Sequence, residues 1–195
     1  MVSHRYTSAD LELLPDRDDV RYEIIDGELC MSKTPDIGHQ YAGGEAFLSL
    51  QVWSHATGAG TAYVTPGVIF AEDDDVIPDV VWISRARQAL AVDAQGHFRT
   101  APELVIEVLS PGSKNERRDR ELKLKLYSRQ GVREYWIVDW RLRNVQVYRR
   151  ADAALHLMAT LAGEDMLTSP LLPGYSCPVA NLWDPSRPAD AASQE

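Results

Sequence analysis

Residues 102–139 (PELVIEVLSPGSKNERRDRELKLKLYSRQGVREYWIVD) constrain the fold more than any other stretch of the chain. Their pattern predicts a strand, a loop, a helix and a second strand. The first strand, over residues 103–110, carries hydrophobic side chains on both of its faces. Such a run is typical of a strand in the middle of a sheet that is covered on both sides.

One acidic residue interrupts this strand. Glu107 points to the same side as Val105 and Leu109, because side chains alternate between the two faces of a strand. A buried carboxylate without a partner costs on the order of several kcal/mol, so we expect a cation to lie next to Glu107.

The helix that follows carries a basic residue on the face predicted to pack inward. Lys123 shares this face with Leu122 and Leu126, whereas Arg118 is predicted to face water. Glu107 and Lys123 could form a pair across a metal ion or a water molecule. A structural salt bridge, or a lysine whose stem covers the rim of the core, explains the same pattern.

The size and charge of the chain limit the classes of protein to be considered. With 195 residues it suits one domain, predicted over residues 1–186, followed by a frayed tail at residues 187–195. Its two cysteines exclude a disulfide framework or zinc-type spacing, and a reducing cytoplasm fits them. We find no signal peptide and no apolar run of membrane-spanning length. The net charge of −9 argues against binding nucleic acid by bulk charge, but not against a local metal site.

The remaining elements supply three further residues of interest. Two strands flank Asp26-Gly27, a strong hairpin signal, and Glu23 interrupts the apolar residues of the first of them. A helix is predicted over residues 38–55 with His39 in its first turn, where a surface or packing role is the alternative to ligand binding. Strands are predicted over residues 62–71 and 76–84, joined by a solvated acidic turn at residues 72–75. Asp79 lies among aliphatic residues of the second of these strands, or else caps a turn at its mouth.

Asp79 and Glu107 are thus predicted on neighbouring apolar strands, with Lys123 on the helix that follows. One or two carboxylates, together with water and substrate phosphate, are the usual protein ligands of Mg²⁺. A cation here would resolve the burial of both acids, lower the pKa of a bound water and stabilise charge on a phosphoryl oxygen. Lys123 would orient that water or neutralise the developing charge.

These residues resemble the Pro-Asp and (Asp/Glu)-X-Lys elements of the restriction-endonuclease-like nuclease superfamily, PD-(D/E)XK. More narrowly, the chain is similar to the Uma-two family of restriction endonucleases. The matching elements are residues 22–28 (YEIIDGE), His39, residues 78–79 (PD), residues 102–111 (PELVIEVLSP), Asp119, Lys123, Tyr127 and residues 131–139 (GVREYWIVD). Leu109 stands where the superfamily motif has its lysine, so that role falls to Lys123.

The resemblance implies an α/β (α+β) fold, with a restriction-endonuclease-like mixed β-sheet flanked by helices. It also implies hydrolysis of a nucleic-acid phosphodiester at a Mg²⁺ or Mn²⁺ site formed by Asp79, Glu107 and the backbone carbonyl of Val108. Glu23 would be an outer acid of the site, and His39 a contact to phosphate or water.

Nucleic acid, DNA in the first instance, would contact basic residues near the site, unless these form only a solvated face. The candidates are Lys114, Arg117, Arg118, Arg120, Arg141 and Arg143. Three functions remain open on the sequence. They are a Mg²⁺-dependent endonuclease, a non-catalytic dimeric binding or regulatory module of the same fold, and a small-molecule hydrolase or binder. A homodimer is expected, because two sites could then address two strands.

Overall fold

The structure is a computed structural model that describes residues 4–186; the predicted tail at residues 187–195 lies outside the described residues. Its main feature is a six-stranded mixed sheet with the strand order β10-β9-β8-β7-β6-β3. The strands of this sheet are β3 (Gly60–Val64), β6 (Val80–Ser84), β7 (Leu104–Val108), β8 (Glu134–Asp139), β9 (Asn144–Ala151) and β10 (Ala154–Ala162). The central strands β7 and β8 are parallel, and the other neighbours pair antiparallel.

A second sheet packs beside the first and has the order β2-β1-β5-β4. Its strands are β1 (Val20–Ile25), β2 (Glu28–Lys33), β4 (Val68–Ala71) and β5 (Asp74–Val76). The Asp26-Gly27 hairpin is confirmed, with φ of 52° and 75° at the two positions. Positive φ at both central residues is what a tight hairpin turn of type I′ requires. A short pair, β11 (Met166–Thr168) and β12 (Ser176–Pro178), lies near the end of the described chain.

Both faces of the main sheet are covered, as the apolar pattern of β7 predicts. The helices are α1 (Ser8–Leu11), α2 (Ile37–Thr57), α3 (Arg85–Ala91), α4 (Ser113–Arg117) and α5 (Leu124–Gln130), with a π-helical segment, Arg118–Lys123, between the last two. Helix α2 packs Leu50 on the face that contains Ile106, and α5 packs Leu126 on the face that contains Val105. No helix within the described residues combines the length and the apolar character needed to cross a bilayer.

The acidic segment at residues 72–75 differs from the prediction of a solvated turn. Asp74 opens strand β5 and is only 4% exposed. Its carboxylate accepts hydrogen bonds from the Arg129 guanidinium at 2.7 Å and from the backbone N–H of Asp26 at 2.8 Å. A distant arginine thus compensates a charge whose neighbours in sequence are all acidic.

The predicted strands at residues 62–71 and 76–84 are each divided. Gly60–Val64 belongs to the large sheet and Val68–Ala71 to the small one, because the chain turns at residues 65–67 and leaves its first sheet. Strand β6 begins only after Pro78, which lacks the N–H that a ladder needs.

Gly43 and Gly44 lie inside helix α2, and they neither delay its start nor bring another backbone close to it. The helix begins at Ile37, where the side chain of Asp36 accepts a hydrogen bond from the Gly38 N–H at 2.7 Å. A Cβ at Gly43 would meet only a Val108 methyl group at 3.7 Å, and a Cβ at Gly44 would meet nothing within 4 Å.

Candidate functional site

The two carboxylates singled out in the sequence meet where β6 begins and β7 ends. Val80 pairs with Ile106 across these antiparallel strands, so Asp79 and Glu107 are the next positions on the two strands. The backbone N–H of Val108 donates to Oδ2 of Asp79 at 2.8 Å. Both acids line a small cavity of about 20 Å³, which has room for about one water molecule.

Asp79 is held in its charged form. His39 Nε2 lies 3.3 Å from Oδ2, and Arg21 Nη1 lies 3.5 Å from Oδ1. Burial alone would raise the pKa of Asp79, but the contacts with His39, the charge on Lys123 and the N–H of Val108 lower it to about 2. His39 occupies the first turn of α2 and is itself buried, so the helix N-terminus carries it into the site.

The surroundings of Glu107, in contrast, favour its neutral form. Its Oε1 accepts hydrogen bonds from Lys123 Nζ at 2.9 Å and from the Tyr127 hydroxyl at 2.7 Å. Within residues 4–186, Oε2 accepts no hydrogen bond. Burial, together with the nearby acids Asp79 and Asp119, raises the pKa of Glu107 to about 8 against the opposing charge of Lys123. The single charge of Lys123 therefore does not fully offset the burial of the Glu107 carboxylate among other acids.

Lys123 lies inside the site rather than at its rim, since only 1% of its surface is exposed. Its Nζ is 2.8 Å from Oε1 of Glu23 and 2.9 Å from Oε1 of Glu107. Burial opposes the charge on Lys123, but these two glutamates outweigh it and raise the lysine pKa, so the amine stays an ammonium ion. The charges of Lys123 and Arg118 in turn lower the pKa of Glu23 against the effect of its burial.

The π-helical segment accounts for a prediction that is wrong. Arg118 was expected to face water, yet it is 8% exposed and its guanidinium donates two hydrogen bonds to Asp119, at 2.8 and 3.1 Å. A π-turn hydrogen-bonds residues five apart, and Arg118 and Lys123 have this spacing. Both side chains therefore reach the cavity, where Arg118 Nη1 lies 3.8 Å from Glu23. Regular helical spacing does not reveal this geometry.

The other basic residues predicted to contact nucleic acid lie outside the cavity. Lys114 and Arg117 are exposed on α4, and Arg117 forms an ion pair with Glu121 at 3.1 Å. Arg120 and Arg141 both form ion pairs with Glu116, which offsets part of the basic surface.

Sequence reasoning missed two basic residues of the site, Arg21 and Lys33, which line the cavity from β1 and β2. Arg21 stands two positions before Glu23, and residues two apart share a strand face. That spacing is a signal by which it could have been found. Lys33 offers no such signal, because its position depends on the register between β1 and β2.

The donor chemistry of the cavity fits a hard divalent cation. No group of three or more His, Cys, Asp or Glu side chains with metal-binding geometry occurs within residues 4–186. Two carboxylates are enough for Mg²⁺, which keeps several waters and takes further ligands from substrate phosphate. The pKa of Glu107 is raised because this acid is buried beside other acids, and a cation bound there would lower it.

Comparisons with known proteins agree with this fold. The model of the Uma2 family, described as "Putative restriction endonuclease", matches residues 8–180. No curated protein matches the chain. Among solved structures, a protein described as "a putative nuclease belonging to DUF820" from Anabaena variabilis superimposes with a TM-score of 0.71 and 17% identity. The match covers 90% of this chain and 96% of the other, and at this identity it shows a shared fold.

Proposed function

The chain belongs to the Uma2 family, and on that premise we propose that it is a divalent-metal-dependent endonuclease acting on DNA. The observation that carries the proposal is the meeting of Asp79, Glu107 and Lys123 at one cavity. These are the residue types of a phosphodiester-hydrolysing site, drawn from two strands and a helix. In this proposal Lys123 takes the role of the lysine that the superfamily motif has at the position of Leu109.

In this proposal each residue has a defined task. Asp79, Glu107 and the carbonyl oxygen of Val108 would hold Mg²⁺ or Mn²⁺. The ion would supply Lewis acidity at the phosphoryl oxygen and lower the pKa of a coordinated water. Lys123 is an ammonium ion held by Glu23 and Glu107. It would donate a hydrogen bond to the attacking water or to the phosphate.

The residues around Asp79 would receive the substrate phosphate. Arg21 is 29% exposed at its side chain and lies 3.5 Å from Asp79, so it reaches both the cavity and the solvent. Its guanidinium would neutralise the phosphate at the cavity mouth, since a planar fork of donors suits phosphate oxygens. His39 would donate from the opposite side of Asp79.

Glu23 would act as a positioning residue. Its Oε1 accepts a hydrogen bond from the Ile77 N–H at 2.8 Å while it also holds Lys123, so it ties the ammonium group to the backbone. The expected consequence is that Glu23→Gln loosens Lys123 and lowers cleavage without removing a metal ligand.

The test is cleavage of supercoiled, single-stranded and branched DNA with Mg²⁺ or Mn²⁺, and with EDTA in their place. We expect Asp79→Asn and Glu107→Gln to lower the rate by about 100- to 1,000-fold, which is typical for loss of one group that stabilises transition-state charge. Glu103→Gln is the matched control, since Glu103 is also buried, next to β7, but is hydrogen-bonded by Ser84 outside the cavity. Failure of the wild type to cut any of these substrates with either ion would overturn the proposal, as would full activity of both variants.

One observation favours a second function, a non-catalytic dimeric module that binds nucleic acid or protein. Lys123 and Arg118 already provide charge next to Glu23 and Asp119, so these acids are compensated without a metal. Calorimetry with Mg²⁺ separates the two functions. Binding that disappears in Glu107→Gln supports the nuclease, whereas DNA binding without any Mg²⁺ uptake supports the module.

A further inference from the structure

A groove of about 480 Å³ opens directly beside the candidate site. We call it the side groove; it is lined in part by Asp18, Arg21, Tyr22, Lys33, Pro35 and Ile77. Arg21, Lys33 and Pro35 also line the small cavity that contains Asp79 and Glu107, so the two spaces adjoin. A volume of this size lies within the range of small-ligand sites and is far larger than one water requires.

The side groove runs along the start of β1, where β2 pairs with one edge of the strand and β5 does not pair with the other. Strand β1 pairs with β5 at Ile24 and Asp75, whereas the groove lies beside Arg21 and Tyr22, nearer the start of the strand. Tyr22 is only partly buried there, and Ile77 and Pro35 supply apolar surface near it.

Charge is distributed unevenly along the side groove. Its basic residues, Arg21 and Lys33, are at the end shared with the cavity, whereas Asp18 and Asp19 line the side groove alone. Asp19 accepts hydrogen bonds from Arg17 at 3.0 and 2.8 Å. Among residues 4–186, the side chains of Lys33 and Asp18 have no hydrogen bond or ion pair. Lys33 acts on Asp19 through its charge without a direct contact, so Lys33 near the site and Asp18 away from it can both contact a ligand.

We propose that the side groove binds one unpaired nucleotide of the substrate strand, next to the phosphate that is cleaved. This rests on the proposed nuclease function. The phosphate contacts Arg21 and Lys33, the base packs on Tyr22, and an exocyclic amino group of the base donates a hydrogen bond to Asp18. Aromatic side chains stack on any base, and a carboxylate accepts from the amino group of cytosine or adenine.

Two consequences follow for the substrate. Thymine has no exocyclic amino group, so the side groove favours cytosine or adenine over thymine at this position. A base that remains paired and stacked in a duplex cannot enter the groove, so the substrate class is single-stranded or branched DNA, or DNA with a flipped base.

The experiment measures binding of fluorescent oligo(dC), oligo(dT) and duplex DNA by anisotropy in EDTA, at about pH 8, so that binding is independent of cleavage. For the wild type we expect oligo(dC) to bind about tenfold more tightly than oligo(dT), as one good base contact supports. Asp18→Asn should remove this preference. Asp152→Asn is the matched control, because Asp152 is exposed in the turn between β9 and β10.

The other contacts are tested with paired variants. Tyr22→Ala should weaken binding of both oligonucleotides by about tenfold, whereas Tyr22→Phe, which keeps the ring, should bind like the wild type. Lys33→Ala should weaken both and reduce the salt dependence by about one phosphate contact. Lys125→Ala removes the same charge from an exposed position on α5 and should leave binding unchanged.

The outcomes separate this proposal from the function on which it rests. If the wild type binds the oligonucleotides and Tyr22→Ala and Lys33→Ala bind them equally well, the proposed nucleotide site in the side groove is wrong. The proposed nuclease function is unaffected by that result. Loss of binding in these two variants without any base preference overturns the contact with Asp18 alone. The expected binding pattern without DNA cleavage in Mg²⁺ supports the groove and overturns the nuclease. No binding of any oligonucleotide by the wild type overturns both.

Discussion

Replacing Glu107 with glutamine tests the electrostatics of the site without the need for a substrate. The neutral amide has the same shape, and its oxygen can still accept hydrogen bonds from Lys123 and Tyr127. Lys123 keeps its second partner, Glu23, at 2.8 Å. The substitution therefore removes a charge that the surroundings disfavour and leaves the contacts in place.

The expected gain in stability follows from the pKa of Glu107, which is about 8 in the folded protein compared with a usual value of 4.5. A folded-state pKa above the unfolded value means that the folded protein holds the proton more tightly. The stability that this proton provides is fully present below about pH 4.5 and is lost as the pH rises to about 8. Each pKa unit corresponds to about 1.4 kcal/mol, so at pH 7 the wild type loses about 3 kcal/mol.

Thermal unfolding from about pH 5 to pH 8 in EDTA is the assay. We expect Glu107→Gln to melt about 6–12 °C above the wild type at pH 7, because 1 kcal/mol shifts a chain of this size by about 2–4 °C. At about pH 5 the two should melt at similar temperatures. Glu103→Gln should instead melt below the wild type, because it weakens charge-assisted hydrogen bonds from the backbone N–H and the hydroxyl of Ser84.

Mg²⁺ supplies a second measurement on the same samples. An ion bound at Glu107 stabilises the folded wild type by mass action and should leave Glu107→Gln unchanged. Two results would contradict the raised pKa of Glu107: a glutamine variant that melts at or below the wild type at pH 7, or an equal loss of stability in both proteins between pH 5 and 8. Either result would mean that Lys123 fully compensates Glu107 in the folded protein.

Three further expectations concern the lysine, the glycines and the proposed homodimer. Lys123→Met should lower the free energy of unfolding in urea by about 3–5 kcal/mol, because Glu23 and Glu107 lose their shared cation. The control Lys125→Met changes a side chain that is 73% exposed and should alter this free energy by less than about 0.5 kcal/mol. Gly60→Ala should lower the free energy of unfolding by about 1–3 kcal/mol, since its Cβ would overlap the Ile83 carbonyl oxygen. Gly44→Ala places its Cβ in open space and should raise this free energy by up to about 1 kcal/mol. Equal effects of the two substitutions would contradict this difference in packing. Light scattering should give twice the monomer mass, because the exposed apolar residues Ile37, Leu48 and Val52 of α2 are expected to form the dimer interface. Leu48→Asp should give a monomer, whereas the control Leu13→Asp, at another exposed leucine, should remain a dimer. A monomeric wild type would exclude this homodimer.

Local sequence patterns were sufficient to predict the central strand, the first hairpin and the burial of two charged residues. The apolar run around Glu107 predicted the covered central strand β7, and Asp26-Gly27 predicted the hairpin between β1 and β2. It also singled out Glu107 and Lys123 as charges at positions that pack inward, and both are buried. These features are local, because strand alternation, helical spacing and turn residues are set by neighbours in the chain.

How the charges compensate one another depends on the tertiary structure. It paired Asp74 with Arg129, which is distant in sequence, and it divided the predicted strands between two sheets. The π-helical segment turned Arg118 into the cavity, and the register of β1 with β2 brought Arg21 and Lys33 beside Asp79. A buried charge is costly without a partner of opposite charge, so local sequence can show that a partner is needed. The identity of the partner depends on the complete fold, because the two residues can lie far apart in the chain.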